Sequence, residues 1–331
     1  MSTSPMSMFT IISQQVTIYL GLFILIIGFF GGLLNIIIFL SLQTFRQNSC
    51  AFYLTAMSFA NIIHLTINLL SHIIITGYEI NLTAKSIIYC KIQFFLVELF
   101  LLTSLTCMCL ATLDQFLATC SNPFWHRWNN IKLARYVLIG TILFWLLHGI
   151  PTIIYFDIIV SPSNMNQYVC LITNTIFQQY ITYGFVFILM GLLPLIIMVL
   201  FGSLAYYNVR NLAYRTVPLV RRELDKQLTK MVLVQVIYNI FVLTPFVIVA
   251  LIAFNLPTID QISAVRVLAI DIHNFYFASP FYIYICVSKR FRQQFIHVFC
   301  NIHFNLYKKT NINNNQIQPK PPNTSINHIS K

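Results

Sequence analysis

Charge is what this sequence has least of. Only 8% of its 331 residues are charged, 58% are hydrophobic, and the mean hydropathy is +0.76. An average soluble domain carries about a quarter charged residues, so this chain has too few to cover a soluble globule. Dominant disorder is excluded as well, because it needs low hydrophobicity. No internal repeat is visible. No Cys/His spacing resembles a zinc site, and neither a metal nor a cofactor is expected. Paired catalytic acids and a Ser/His set are missing, which argues against an enzyme. Residues 267–288 hold no lysine, so a Schiff base in the last apolar stretch is excluded. A polytopic membrane protein remains.

A transmembrane helix needs about 20 mostly apolar residues. Seven stretches meet that test, at 14–43, 51–77, 91–118, 134–156, 175–207, 228–254 and 263–287. The expected fold is an all-α membrane protein, a seven-transmembrane helix bundle over 14–287. An N-terminal tail (1–13) precedes it. A short amphipathic C-terminal helix (288–300) and a disordered tail (301–331) follow. In that helix Phe291, Phe295 and Phe299 recur every four residues among Lys289, Arg290 and Arg292, a pattern that lies on a membrane surface.

Lys and Arg in short loops set orientation. Of the 20, only Lys85, Lys91 and Arg266 fall on one side. The crowded side is read as cytoplasmic, so the N-terminus is extracellular and the location is the plasma membrane. This asymmetry accounts for the net charge of +12 without any nucleic-acid partner. Asn81-Leu82-Thr83 is a glycosylation sequon on the outer side. Asn323-Thr324-Ser325 also matches but falls on the cytoplasmic tail. Cys90 and Cys170 are the one cysteine pair on the outside, where a disulfide forms. Cys300, at the end of the surface helix, is a palmitoylation candidate or an unmodified thiol.

From Cys90 to Asp114 a helix rises about 36 Å, roughly one membrane thickness. Asp114-Gln115-Phe116 therefore stands at the inner mouth of span three. Here the residues resemble those of the rhodopsin-like (class A) G-protein-coupled receptors, across about 290 residues. Asn35 follows Gly31-Gly32 in span one. Asn61 stands where an acid is usual in span two. Cys90 and Asp114-Gln115-Phe116 are similar to the family's Cys and Asp-Arg-Tyr. Trp145, Cys170 and Pro194 fit, as does Phe241-Val242-Leu243-Thr244-Pro245 in span six. Tyr284, followed by Ser288-Lys289-Arg290-Phe291-Arg292, resembles the end of span seven in invertebrate neuropeptide receptors.

The resemblance implies an extracellular ligand and a heterotrimeric G protein as partners. It implies activation roles for Asp114, Gln115, Phe116, Pro245 and Tyr284. Some positions depart from the pattern. Gln115 replaces the arginine of the charged lock, and a neutral amide cannot form one. Leu243 replaces the usual Trp, and Asn61 weakens any sodium site. At the position seven after Cys90, where amine receptors carry an acid, stands Val97, so a peptide is the expected ligand.

Ionisable groups inside a membrane are costly and are functional candidates. Glu98 and Asp271 are the two acids in the span cores. A ligand pocket is expected around Glu98, Phe246, Arg266 and Asn274, with Arg266, Ile270 and Asn274 on one stripe of span seven. The bland reading of these groups is hydrogen bonding between spans. His64 and His148 read as such interhelical donors. Two other functions stay open at this point: a transporter or channel, and a receptor-like protein with poor G-protein coupling.

Overall fold

The computed structural model describes residues 8–120, 122–160, 168–211, 219–255 and 260–300. The N-terminal residues 1–7 and the tail over 301–331, with its second sequon, lie outside them. Among the described residues, six helices are long and apolar enough to cross a membrane. They are Ile11–Ser41, Ser49–Gly77, Ile87–Thr119, Ile131–Tyr155, Thr175–Arg210 and Glu223–Ala253, called spans one to six below. Span seven is two helices, Asp260–Ala278 and Pro280–Val287, divided at Ser279. Pro280 has no backbone N–H to continue the first piece. The first span's helix already begins at Met8, inside the segment read from sequence as a tail.

Short polar residues start four of the spans, each satisfying an orphan N–H of a first turn. Asn48 accepts from Ala51 N at 3.0 Å, and Ser86 from Tyr89 N at 3.4 Å. Asn130 accepts from Lys132 N at 2.9 Å, and Asn174 from Phe177 N at 3.0 Å. Span five winds in wider turns over Tyr180–Leu192 and returns to ordinary α-helix at Leu193–Asn211, beside Pro194. Pro245 sits inside the continuous helix Leu219–Asn255, which contains span six.

Polarity is inverted relative to a soluble bundle. Phe23, Phe30, Phe144 and Leu147 are exposed, while Asn35, Asn61, Asn239 and Asn274 are buried. Apolar groups face lipid, and polar groups find partners inside. Span three is the axis: 56% of its most apolar window is buried, against 11% for span four. Span four is thus a peripheral helix packed on span three. A two-stranded antiparallel hairpin, β1 (Phe156–Val160) and β2 (Tyr168–Ile172), caps one end of the bundle, with Ile158 opposite Cys170.

At the opposite end, Ser288 caps the helix over 289–300 by accepting from Phe291 N at 3.2 Å. Phe291 is fully buried, stacked edgewise on Phe39 and Tyr284. Phe295 packs against Phe281, and Phe299 is exposed. The aromatic stripe therefore holds this helix against spans one and seven. The exposed Cys300 stands at its end.

Candidate functional site

Polar residues gather at the two ends of the bundle. At the end of span three away from the hairpin, Asp114 is buried and its carboxylate is fully engaged. The Ser49 hydroxyl lies 2.7 and 2.8 Å from its two oxygens. The Asn129 amide donates to Oδ2 at 3.2 Å and to the Asp114 carbonyl at 3.3 Å. Asp114 thereby joins the start of span two to the turn before span four. Its neighbour Gln115 points the other way: Thr229 of span six donates to Gln115 Oε1 at 2.8 Å, and both residues are buried. Phe116 packs at 5.5 Å on Phe201 of span five.

Span six also reaches the start of the helix that follows span seven at this end. Gln227 Oε1 accepts from the Ser288 hydroxyl and from Arg290 N, both at 3.0 Å. Tyr284 is fully buried beside Phe39 and Phe291. Through mid-bundle, Ser104 donates to Asn61, and Asn35 donates to Ser58 at 3.3 Å. Leu243 is fully buried where the family often carries Trp. Trp145 fastens span four by donating to Thr106 at 3.1 Å.

At the hairpin end, Cys90 and Cys170 form a disulfide with their Cα atoms 6.0 Å apart. It anchors β2 to the top of span three. The Asn81 amide donates to the Tyr168 carbonyl at 3.2 Å, so the loop carrying the sequon also touches the hairpin. Below the disulfide, Glu98 is buried against span four. His148 Nδ1 meets its Oε1 at 2.6 Å, Thr152 donates to Oε2, and His148 Nε2 meets the Tyr180 hydroxyl of span five.

The expected pocket set is split by this geometry. Glu98 directs its hydrogen bonds to span four, and only through His148 to Tyr180 of span five, not to span seven. This is the interhelical bonding weighed against ligand contact, and it suits a costly buried acid. Phe246 stacks on His273 of span seven at 4.2 Å, and His273 meets Phe277 edgewise. Asn274 donates back to the Ile270 carbonyl at 2.8 Å, and its side-chain oxygen is buried without a partner among the described residues. Arg266 is exposed. Asp271 turns to span one, where Thr17 donates to it at 2.9 Å, with His72 Nε2 at 3.6 Å.

His64 and His148 are both bonded between spans, as expected. His64 Nδ1 approaches the Val97 carbonyl at 3.3 Å. Ser49, Asn129, Thr229, Thr17 and Thr152 went unnoticed in the sequence. Ser49 carried one usable signal, its place in the first turn after a capping Asn48.

A central third span, a disulfide from one of its ends to a hairpin loop, and a buried acid near its other end define a seven-helix membrane bundle. The family model described as "7 transmembrane receptor (rhodopsin family)" matches residues 31–281, and the chain belongs to that family. It is a multi-pass plasma-membrane protein of the rhodopsin-like class, whose partners are extracellular ligands and G proteins. No curated protein matches the chain.

Proposed function

We propose that the chain binds an extracellular peptide at the hairpin end and signals to a heterotrimeric G protein through the Asp114 end. In this reading the N-terminus is outside and the Lys/Arg-rich loops are cytoplasmic. Asn81 carries a glycan and Cys300 a palmitoyl chain. Phe246, His273 and Asn274 line the ligand's side of spans six and seven. Glu98, held by His148, shapes the side facing spans four and five, and Arg266 stands at the outer rim. The hairpin clamped by Cys170 supports a peptide, because it offers an extended rim beside the entrance.

The observation that carries this reading is the bond from Thr229 to Gln115. It ties spans three and six at the end where the G protein would enter. A neutral hydrogen bond contributes about 1 kcal/mol net, small enough for ligand binding to outweigh. Two packings of one bundle, biased by ligand, then give a switch. Gln115 occupies the arginine's place in the tie without its charge.

The test is G-protein activation in intact cells exposed to a neuropeptide library, with surface delivery read from the glycan shift lost in Asn81→Gln. A dose-dependent response supports the reading. Silence from glycosylated, surface-exposed protein across the library contradicts the peptide assignment. An unglycosylated Asn81 in surface protein counts against the orientation.

A further inference from the structure

We propose that His72 of span two and Asp271 of span seven bind a zinc ion. His72 lies five residues before Gly77, where span two ends toward the hairpin. Its Nε2 faces Asp271 Oδ1 at 3.6 Å. Both atoms are buried, and neither forms a hydrogen bond among the described residues.

The separation selects what fits between them. A direct hydrogen bond needs about 2.7–3.2 Å. A water bonded to both at about 2.8 Å, with a tetrahedral angle, would hold them about 4.6 Å apart. Zinc takes nitrogen at about 2.0–2.1 Å and oxygen at about 2.0–2.2 Å, so its tetrahedral ligands stand about 3.3–3.5 Å apart. The gap between His72 and Asp271 is nearest the last of these. Glu98 and His148 are the contrast: the same two kinds of group close on each other directly, at 2.6 Å.

The groups behind the two ligands are arranged for a metal. Thr76 Oγ1 lies 3.3 Å from His72 Nδ1. With Nδ1–H donating to that hydroxyl, Nε2 turns its lone pair toward Asp271. Thr17 donates to Asp271 Oδ2 at 2.9 Å, which leaves Oδ1 for the ion. A metal-bound imidazole donates through its other nitrogen, and a bound carboxylate is itself hydrogen-bonded. His72 also stands between two segments of wider turns, Leu65–Leu69 and Ile73–Gly77, a local form frequent at functional sites. No third His, Cys, Asp or Glu joins the pair among the described residues, so water completes the shell. The imidazole selects zinc over magnesium or calcium, which take oxygen. Arg266, five residues before Asp271, is exposed and its charge is screened, whereas Asp271 is fully buried.

The ion would tie span two to span seven and, through Thr17, to span one. Its ligands come from separate spans, so no Cys/His spacing announces them. The site depends neither on the peptide reading nor on the proposed orientation.

Purified full chain in detergent, its exposed thiols blocked with N-ethylmaleimide, is dialysed against zinc chloride. One saturable zinc ion per chain is expected, with a raised thermal midpoint. His72→Gln and Asp271→Asn should each abolish both. Asn keeps an acceptor for Thr17, so that variant removes charge with little change of shape. Thr76→Val and Thr17→Val should each weaken zinc binding about 10-fold, as loss of an orienting partner does. His297→Gln removes an exposed imidazole at the opposite end and should leave binding unchanged. Magnesium should not compete. The partly exposed His72→Gln reports even where Asp271→Asn fails to fold. Zinc retained equally by His72→Gln, equal competition by magnesium, or no saturable zinc at all overturns the proposal.

Discussion

Thr229 on span six donates its hydroxyl to Gln115 on span three at 2.8 Å. The same hydroxyl lies 2.8 Å from the Asp225 carbonyl one turn earlier. The hydroxyl's one proton is shared between these two acceptors, one on span three and one on its own helix. The bond to Gln115 is neutral at both ends, and Asp114 beside it is spoken for by Ser49 and Asn129. The two adjacent residues of span three thus hold different partners: Asp114 fixes spans two and four, and Gln115 fixes span six. Releasing span six need not disturb the other tie.

The disulfide sets the first expectation. Cys90 and Cys170 are 80 residues apart, and closing so long a loop stabilises a fold by about 2–4 kcal/mol. Cys90→Ser and Cys170→Ser should each lower the thermal midpoint of purified protein and abolish the ligand response. The double variant should be no worse than either single one. Additive losses would mean that the two cysteines act separately.

Glu98 and His148 supply the second. Removing one partner of a buried pair leaves the other unsatisfied, at about 1–3 kcal/mol. Glu98→Ala and His148→Ala should each destabilise the bundle by that amount in a thermal-shift assay. The double variant should recover part of the sum, because neither the acid nor the imidazole is then left without the other. Strict additivity would show that the 2.6 Å contact carries no coupling.

Close packing of span one gives the third. A Cβ on Gly28 would lie 2.4 Å from Leu65 Cδ1 and 3.0 Å from the Ala278 Cβ. Gly28→Leu should push span one from spans two and seven and cost about 1–3 kcal/mol of stability. Gly140 has open space around its Cβ position, so Gly140→Leu is the matched control and should be neutral. Equal stability of the two variants would contradict the packing described.

The spans and the disulfide were legible in the sequence because both follow from coarse quantities. Apolar run length locates the core of a span, though the helices of spans one and six start earlier, at Met8 and Leu219, and loop charge leaves a single cysteine pair on one side. The hairpin was not legible, because Phe156–Val160 and Tyr168–Ile172 are short strands inside a longer loop. The site was half legible. Asp114 and Gln115 stood out by spacing from Cys90, yet their partners Ser49, Asn129 and Thr229 come from three separate segments. Glu98 was read toward span seven because its own helix fixes only depth. Which neighbour it meets depends on how span four is rotated against span three, and no periodicity within span three encodes that.

The measurement that bears most directly on the account is ligand-independent nucleotide exchange on G protein, driven by purified chain at matched concentration. Thr229→Val removes the donor, and Gln115→Ala removes the acceptor. Loss of about 1 kcal/mol from the closed packing should raise basal exchange roughly 5-fold in each. The double variant should match the single ones, since both break one bond. Exchange indistinguishable from the unaltered protein in both single variants would contradict the assignment of this bond as the tie between spans three and six.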